Sequence, residues 1–236
     1  RPDDALLSYA RACRFNPALE ASWRGQLGIL VTKELEAQAG QVKAQLDWLQ
    51  ALPKPLVAVV DLVAQGLLLR AEDLCRQFLR KVPHHVEGMR LLADIGVRLG
   101  VLDDSEILLE SALKLEPGNK RVRMDYIQAL RKRQKFSAAL EQARLLLDSA
   151  PENPQFKSLF AIESMQTGDY ETALSTFDEI LEQLPLHALH EQDRDEDRNA
   201  GDGRCKQGAR DLFCPLDDGF RMARLVQTYQ ILLCSM

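Results

Sequence analysis

The stretch GDYETALSTFDEILEQLP, residues 168–185, decides the fold. It opens with a glycine turn, continues with Ala173, Phe177 and Ile180 at helical spacing, and ends at a proline. A proline recurs at this place every 34 residues, at Pro83, Pro117, Pro151 and Pro185. The chain is therefore built from copies of one helical unit.

The unit over residues 154–187 has the spacing of two antiparallel helices joined by a short turn. Ala161 in the first helix and Ala173 in the second are small enough for the helices to approach closely where they cross. Gly168 suits the left-handed conformation that ends the first helix, and proline stops the second. Larger side chains are expected to pack around the crossing, namely Phe160, Tyr170 and Phe177.

Three earlier units keep this signature with decreasing regularity, over residues 120–153, 86–119 and 52–85. Gln134 replaces the turn glycine in one unit, and Ser105 takes the small crossing position in another. Pro53 and Pro55 are expected to disturb the first helix of the earliest of the three.

The first 51 residues are predicted to hold a half repeat and a degenerate helical pair. Ala5, Tyr9, Ala12 and Pro17 reproduce the spacing of a second repeat helix, so the chain is expected to begin within a repeat and to be a piece of something longer. Two helices are predicted next, around residues 23–40 and 41–52, with an apolar period but poor agreement with the repeat.

The block over residues 86–185 resembles tetratricopeptide (TPR) repeats. The resemblance implies an all-α solenoid of stacked antiparallel helix pairs, the TPR superhelix, with about four repeats over residues 52–187. More narrowly, EGMRLLADIGVRLGVLDDSEILLESALKLEPGN (residues 87–119), followed by RKRQKFSAAL and GDYETALSTFDEIL, resembles the N-terminal repeat region of bacterial TPR-containing sulfotransferases.

The narrower resemblance implies a parent enzyme that transfers a sulfuryl group from 3′-phosphoadenylyl sulfate. This sequence has no glycine-rich loop between a strand and a helix that would cradle such a cofactor, and GDGR at residues 201–204 follows no strand pattern. No catalytic residue and no cofactor are therefore assigned within the chain, and whether the parent is an enzyme stays open.

Composition narrows the class of partner. The formal net charge of −5 argues against nucleic acid, which normally needs a basic surface. The five cysteines lack metal-ligand spacing, which predicts no metal site and favours a reducing, cytoplasmic compartment. The apolar run over residues 56–69 is interrupted by Asp61 and Gln65 and is too short for a membrane span, so no membrane partner is expected.

Residues 188–236 change character to an irregular, charged tail that ends in a possible amphipathic helix over residues 220–236. Three interpretations stay open. The tail is a genuine linker with a capping helix, or the product of a shifted reading frame, or the carrier of a Cys/His site formed by His187, His190, Cys205 and Cys214.

Stacked repeats create a concave groove lined by their first helices, and such grooves bind peptides or partner helices. If helical positions two, five, nine and twelve face it, the candidate ligand-binding residues are Arg90, Asp94, Arg121, Gln128 and Arg131. The arginines predict a ligand with an acidic segment. The alternative is that they keep the face solvated and pair with Glu87 and Asp94.

Asp94 and Gln128 stand where chaperone-binding repeats clamp a terminal carboxylate with asparagines, which argues against a co-chaperone. Two hypotheses follow. The chain is an interaction scaffold for a protein or peptide, with a homodimer possible, or it is the non-catalytic front of a sulfotransferase. A stand-alone adaptor without enzyme activity is the alternative to the second.

Overall fold

The computed structural model describes residues 2–183, which form eleven α-helices and no strand. In chain order the helices are α1 Pro2–Phe15, α2 Glu20–Thr32, α3 Glu36–Ala51, α4 Lys54–Ala64, α5 Leu68–Lys81, α6 Val86–Leu99, α7 Leu102–Leu115, α8 Lys120–Lys132, α9 Phe136–Asp148, α10 Pro154–Gln166 and α11 Tyr170–Gln183. The predicted all-α class is confirmed.

The chain divides into two compact units, residues 1–134 and a second unit that begins at Lys135. In the first unit, α2 packs with α3, α4 with α5 and α6 with α7, while α1 on α2, α5 on α6 and α7 on α8 join successive pairs. In the second unit, α10 packs with both α9 and α11. In each unit, successive helices thus pack on one another, as expected for a solenoid of stacked helices.

Every second connection between helices, starting with that of α2 and α3, contains one residue in the left-handed conformation, and the last four of these residues follow one another at intervals of 34 residues. These residues are Glu34 (φ 58°), Gly66 (φ 76°), Gly100 (φ 84°), Gln134 (φ 58°) and Gly168 (φ 85°). The amide that follows closes the helix end: Val101 N–H donates to the Gly96 carbonyl at 2.8 Å, and Asp169 N–H to the Ser164 carbonyl at 2.9 Å. These bonds satisfy carbonyls that a helix end otherwise leaves without a partner.

The predicted boundary inside the degenerate pair was wrong. The break falls at residues 33–35, with Glu34 in the left-handed conformation, and Gly40 lies inside α3. Leu35 N–H donates to the Leu30 carbonyl at 3.1 Å, which is the same closure that the regular turns use. No glycine marks the left-handed position of this turn, so the sequence did not reveal it.

Pro53 and Pro55 start α4 instead of disturbing it. Pro53 immediately precedes the helix and Pro55 lies in its first turn. The N–H donor that proline lacks is not needed there, because the first N–H groups of a helix have no hydrogen-bond partner within the helix.

The core follows the repeat period. The small crossing residues of the second helices are fully buried, each 0% exposed: Ala71, Ser105, Ala139 and Ala173. Phe177 and Ile180 are also buried, but Tyr170 is 50% exposed and does not pack around the crossing as predicted. It is the first residue of α11.

The turns between pairs use side-chain caps at the repeat interval. His85 Nδ1 accepts from Gly88 N–H at 3.1 Å, Asn119 Oδ1 from Val122 N–H at 3.2 Å, and Asn153 Oδ1 from Gln155 N–H at 2.9 Å. These caps satisfy free amides at the starts of α6, α8 and α10.

Two cysteines occupy small core positions. Cys13 and Cys75 are both free and buried. Burial raises the pKa of the Cys75 thiol to about 12, which makes it a packing residue and a poor nucleophile.

Several predictions lie outside the described residues. These are the boundary between residues 187 and 188, the charged tail over residues 188–236, its possible helix, and the Cys/His site. Within residues 2–183, no helix is long and apolar enough to cross a membrane.

Candidate binding surface on helices α6 and α8

Helices α6 and α8 are the first helices of neighbouring pairs, and they touch each other in the first unit. Arg90 on α6 links them. Its Nε donates to Glu87 Oε2 at 2.6 Å, and its Nη1 donates to Asp125 Oδ2 on α8 at 2.7 Å. The Arg90 side chain is only 13% exposed, so this charge is held between two carboxylates.

The charged groups of Glu87, Arg90 and Asp125 influence one another's pKa. Burial disfavours the charged form of Arg90, but the Glu87 and Asp125 carboxylates outweigh that effect and raise its pKa. The pKa of Asp125 is also raised, because burial and the negative charges of Asp94 and Glu87 outweigh Arg90. The two hydrogen bonds of Arg90 support a charged guanidinium that binds both carboxylates.

A tryptophan from α3 completes the cluster. The Arg121 guanidinium lies over the Trp48 ring, 4.7 Å from the ring centroid, and that of Arg90 lies 5.8 Å from it. Arg121 Nη2 also donates to Gln45 Oε1 at 2.9 Å. We call this set the Arg–Trp cluster; its members are Gln45, Trp48, Glu87, Arg90, Arg121 and Asp125.

The position of α3 departs from regular stacking. In a repeat array each unit contacts its immediate neighbours, yet Gln45 and Arg121 are 76 residues apart. Helix α3 packs on α2 but does not stack along α4 in the way that α5 stacks on α6. Its Trp48 side chain instead reaches the first helices α6 and α8.

Arg121 is the less compensated of the two arginines. Its burial, and then the charge of Arg90, lower its pKa, although Glu87 and Asp125 counteract part of that change. Among the described residues it forms no ion pair, and its hydrogen-bond partner Gln45 is neutral. A half-buried cation with a neutral partner is a candidate contact for an anion.

The structure separates the predicted site residues into two groups. Arg90 and Arg121 meet at Trp48, whereas Asp94 pairs with Arg98 on its own helix at 3.1 Å. Gln128 is exposed in the middle of α8, and Arg131 is half-buried in its last turn. The alternative pairing of Arg90 with Glu87 is present; Asp94 does not pair with either arginine of the cluster.

Sequence reasoning missed Asp125, Gln45 and Trp48 as members of the site. Asp125 follows Arg90 by one repeat plus one residue, so a search for opposite charges one residue beyond the repeat interval would have found the pair. Trp48 packs against the core of the first unit as well as against the two arginines. No periodic signal could have placed it beside Arg121, because α3 leaves the regular stack.

Helix α10 of the second unit differs from α8 in the character of the same helical positions. Ser158 and Ile162 are buried there, while Gln155 is exposed. No group of three or more His, Cys, Asp or Glu side chains within residues 2–183 is arranged to hold a metal ion.

Comparison with known proteins supports the repeat assignment. Residues 74–189, just under half of the chain, match the family model described as the cytochrome c-type biogenesis protein H TPR domain. Residues 74–189 are therefore similar to a TPR domain, and the described helices have the all-α solenoid fold of such repeats. No curated protein matches it.

Solved TPR structures have the same fold. YrrB, described as a TPR protein with an unusual peptide-binding site, shares 17% identity over 78% of this chain and 97% of its own, with a TM-score of 0.50. A double mutant of MamA RS-1 shares 14% over 77% and 93%, with a TM-score of 0.54. MamA 41-end from Desulfovibrio magneticus RS-1 shares 14% over 69% and 93%, with a TM-score of 0.50.

None of these matches is a sulfotransferase, so that resemblance stays a prediction. At these identities the structural matches bear on the fold alone.

Proposed function

We propose that the chain is a protein-interaction module whose α6–α8 surface binds an acidic peptide through Arg121. The observation that carries the proposal is that Arg121 is half-buried on an aromatic ring and makes no ion pair among the described residues. The TPR fold supports it, since grooves of stacked helix pairs bind peptides. YrrB is an example of a TPR protein with a peptide-binding site.

The residues have different roles in this proposal. A guanidinium stacked on an indole is held flat, and its edge can form two parallel hydrogen bonds with a carboxylate. Gln128 and Arg131 follow Arg121 by seven and ten residues, so they continue the same face of α8. Arg90, whose donors are engaged by Glu87 and Asp125, positions α6 against α8.

The acidic residues of the surface limit where the ligand lies. Glu87 and Asp94 lie on α6 and would repel a carboxylate, whereas Asp125 on α8 is paired with Arg90. The peptide is therefore expected to follow α8 from Arg121 to Arg131.

The test is a charge reversal. The double variant Arg121→Glu/Arg131→Glu should bind immobilised acidic peptides at least about tenfold more weakly than the unmodified chain, with unchanged helical circular dichroism. Lys114→Glu/Lys132→Glu is the matched control, because it makes the same charge change at exposed positions. Equal capture by both double variants would contradict the assignment of the surface.

A second candidate keeps the narrower resemblance: the chain is the non-catalytic N-terminal part of a sulfotransferase. The amino-acid sequence of residues 87–119 supports it, because it resembles the repeat region of those enzymes. Sequencing the coding DNA beyond codon 236, and translating the other frames from about codon 187, tests it. A strand followed by a glycine-rich loop with lysine and serine or threonine would support the enzyme; a stop without such a loop would leave the interaction module.

A cytoplasmic location and a homodimer also stay proposals. The cysteine usage supports the location, since Cys13 and Cys75 are unpaired in the core. Light scattering of the purified chain would measure the oligomeric state.

A further inference from the structure

We propose that α3 is an internal, displaceable ligand of the α6–α8 surface, and that the external partner is a helix presenting a carboxylate and an aromatic ring in its place. This inference rests on the proposed function and names the chemistry of the partner. It also makes residues 36–51 a regulator of access to the surface.

Helix α3 already makes the contacts expected of a bound helix. Gln45 and Trp48 are three residues apart, so they lie on one face of α3. Gln45 accepts a hydrogen bond from Arg121, and Trp48 lies against Arg121 and Arg90. The contact joins elements that are distant in the repeat order, as a ligand laid across the first helices would.

The fit of α3 on the α6–α8 surface is incomplete. Trp48 Nε1 is buried without a hydrogen-bond acceptor, which is unfavourable for a donor removed from water. Arg121 meets the neutral amide of Gln45 in a place where its pKa is lowered by burial and by Arg90. A carboxylate at the position of Gln45 would compensate that charge, so an external helix can bind better than α3 does.

Helix α3 is weakly constrained at its two ends, although Val42, Leu46 and Leu49 are buried along it and an incoming helix has to replace these contacts as well. The turn that precedes α3 holds Glu34 in the left-handed conformation, which is unfavourable for a non-glycine residue. Gly40 lies inside the helix, and a Cβ there would meet nothing within 4 Å, so the glycine weakens the helix without serving close packing. At its other end, Leu52 is extended and Pro53 follows, which separates α3 from α4.

The partner's chemistry follows from these contacts. It is an acidic helical segment with an aromatic residue three positions after a glutamate. The glutamate pairs with Arg121 and the ring takes the place of Trp48.

The experiment uses the full chain and a fluorescein-labelled peptide of residues 36–51 carrying Gln45→Glu. Binding is measured by fluorescence anisotropy. Trp48→Ala in the chain removes the aromatic contact of the internal helix with Arg121 and Arg90, so the labelled peptide should bind this variant about tenfold more tightly than the unmodified chain. Asp47→Ala, at the exposed neighbouring position, is the matched control and should leave the affinity unchanged.

Two further variants keep the test decisive. Gln45→Ala removes an exposed side chain and its single hydrogen bond to Arg121, so it should increase affinity in the same direction by about twofold to fivefold even if Trp48→Ala unfolds. Trp48→Ala combined with Arg121→Glu should lose the peptide.

The outcomes separate this inference from the proposed function. Equal affinity for the unmodified chain, Gln45→Ala and Trp48→Ala overturns the internal ligand, while continued dependence on Arg121 keeps the peptide-binding surface. Peptide binding that does not depend on Arg121 would overturn both the internal ligand and the proposed peptide-binding surface. No binding to any chain overturns the inference, and the acidic-peptide capture then decides the proposed function. A dimer that Trp48→Ala converts to a monomer would place α3 on a second copy and also overturn it.

Discussion

At the scale of single residues, the left-handed turn position shows how a repeat tolerates an unfavourable conformation. Gly100 and Gln134 occupy the same place one period apart, at φ 84° and 58°. Only glycine adopts this region without a steric penalty from Cβ. The two turns therefore have the same geometry at different conformational cost.

Exchanging the residue types at these positions should shift stability in opposite directions. Gly100→Ala is expected to lower the free energy of unfolding by about 1–2 kcal/mol, because the left-handed conformation opposes a side chain. A Cβ at Gly100 would touch nothing within 4 Å, so the effect is conformational. Gln134→Gly should raise it by up to about 1 kcal/mol, since the relief of strain exceeds the added chain entropy.

Urea unfolding followed by circular dichroism measures both changes. Gly118→Ala is the control, because Gly118 also has open space around its Cβ position but is not left-handed. That variant should be neutral or stabilise by about 0.4–1 kcal/mol. If Gly100→Ala behaved like the control, the assigned turn conformation would be wrong.

At the scale of helices, the crossing of α6 and α7 depends on two small residues together. A Cβ on Gly96 would lie 2.4 Å from Ser105 Oγ, which is closer than side-chain atoms approach. Ser105 is fully buried, and its hydroxyl donates to the Val101 carbonyl at 2.7 Å. The hydroxyl therefore has little freedom to move aside.

The crossing predicts a strong coupling between the two positions. Gly96→Ala alone should destabilise the chain by about 1–3 kcal/mol through overpacking. In a Ser105→Ala background the nearest remaining atoms are the Val101 carbonyl oxygen at 3.4 Å and the residue-105 Cβ at 3.7 Å, so the same change should become nearly neutral. A double-mutant cycle in urea should give a coupling of at least about 1 kcal/mol. Additive effects would show that the helices cross elsewhere.

The regular elements were predictable because each residue type acts locally. Ser105 and Ala173 revealed the crossings by size, and Gly100 and Gly168 revealed the turns by conformation. Glu34 and Gln134 adopt the same conformation without the residue type that signals it, since backbone hydrogen bonds hold them there. Periodicity alone could not identify such a turn in the degenerate pair.

The binding surface was only half predictable for a similar reason. Arg90 and Arg121 were found because they occupy groove positions of regular repeats. Asp125 lay one residue outside the chosen positions, and Trp48 belongs to a helix that does not stack regularly. A contact between distant units leaves no periodic trace in the sequence.

At the scale of the whole molecule, that contact changes how stability is distributed in the first unit. A repeat array is stabilised by interactions between neighbours, so a local change should affect only adjacent helices. The hydrogen bond from Arg121 to Gln45 and the contacts of Trp48 connect α3 directly to α6 and α8. Opening of α3 should therefore affect α6 and α8, which lie two and three steps further along the series of helix pairs.

Hydrogen exchange of the Trp48→Ala variant tests this coupling. Amides of α2 and α3 should exchange about tenfold faster, which corresponds to about 1.4 kcal/mol less protection. Because Arg121 loses the ring beneath it, amides of α8 should also exchange faster, although purely neighbour-based stacking would leave them unchanged. Helices α10 and α11 are the internal reference, since neither contacts Trp48 among the described residues. Faster exchange confined to α2 and α3 would mean that α3 rests on the surface without stabilising it, and that the first unit behaves as an ordinary one-dimensional stack.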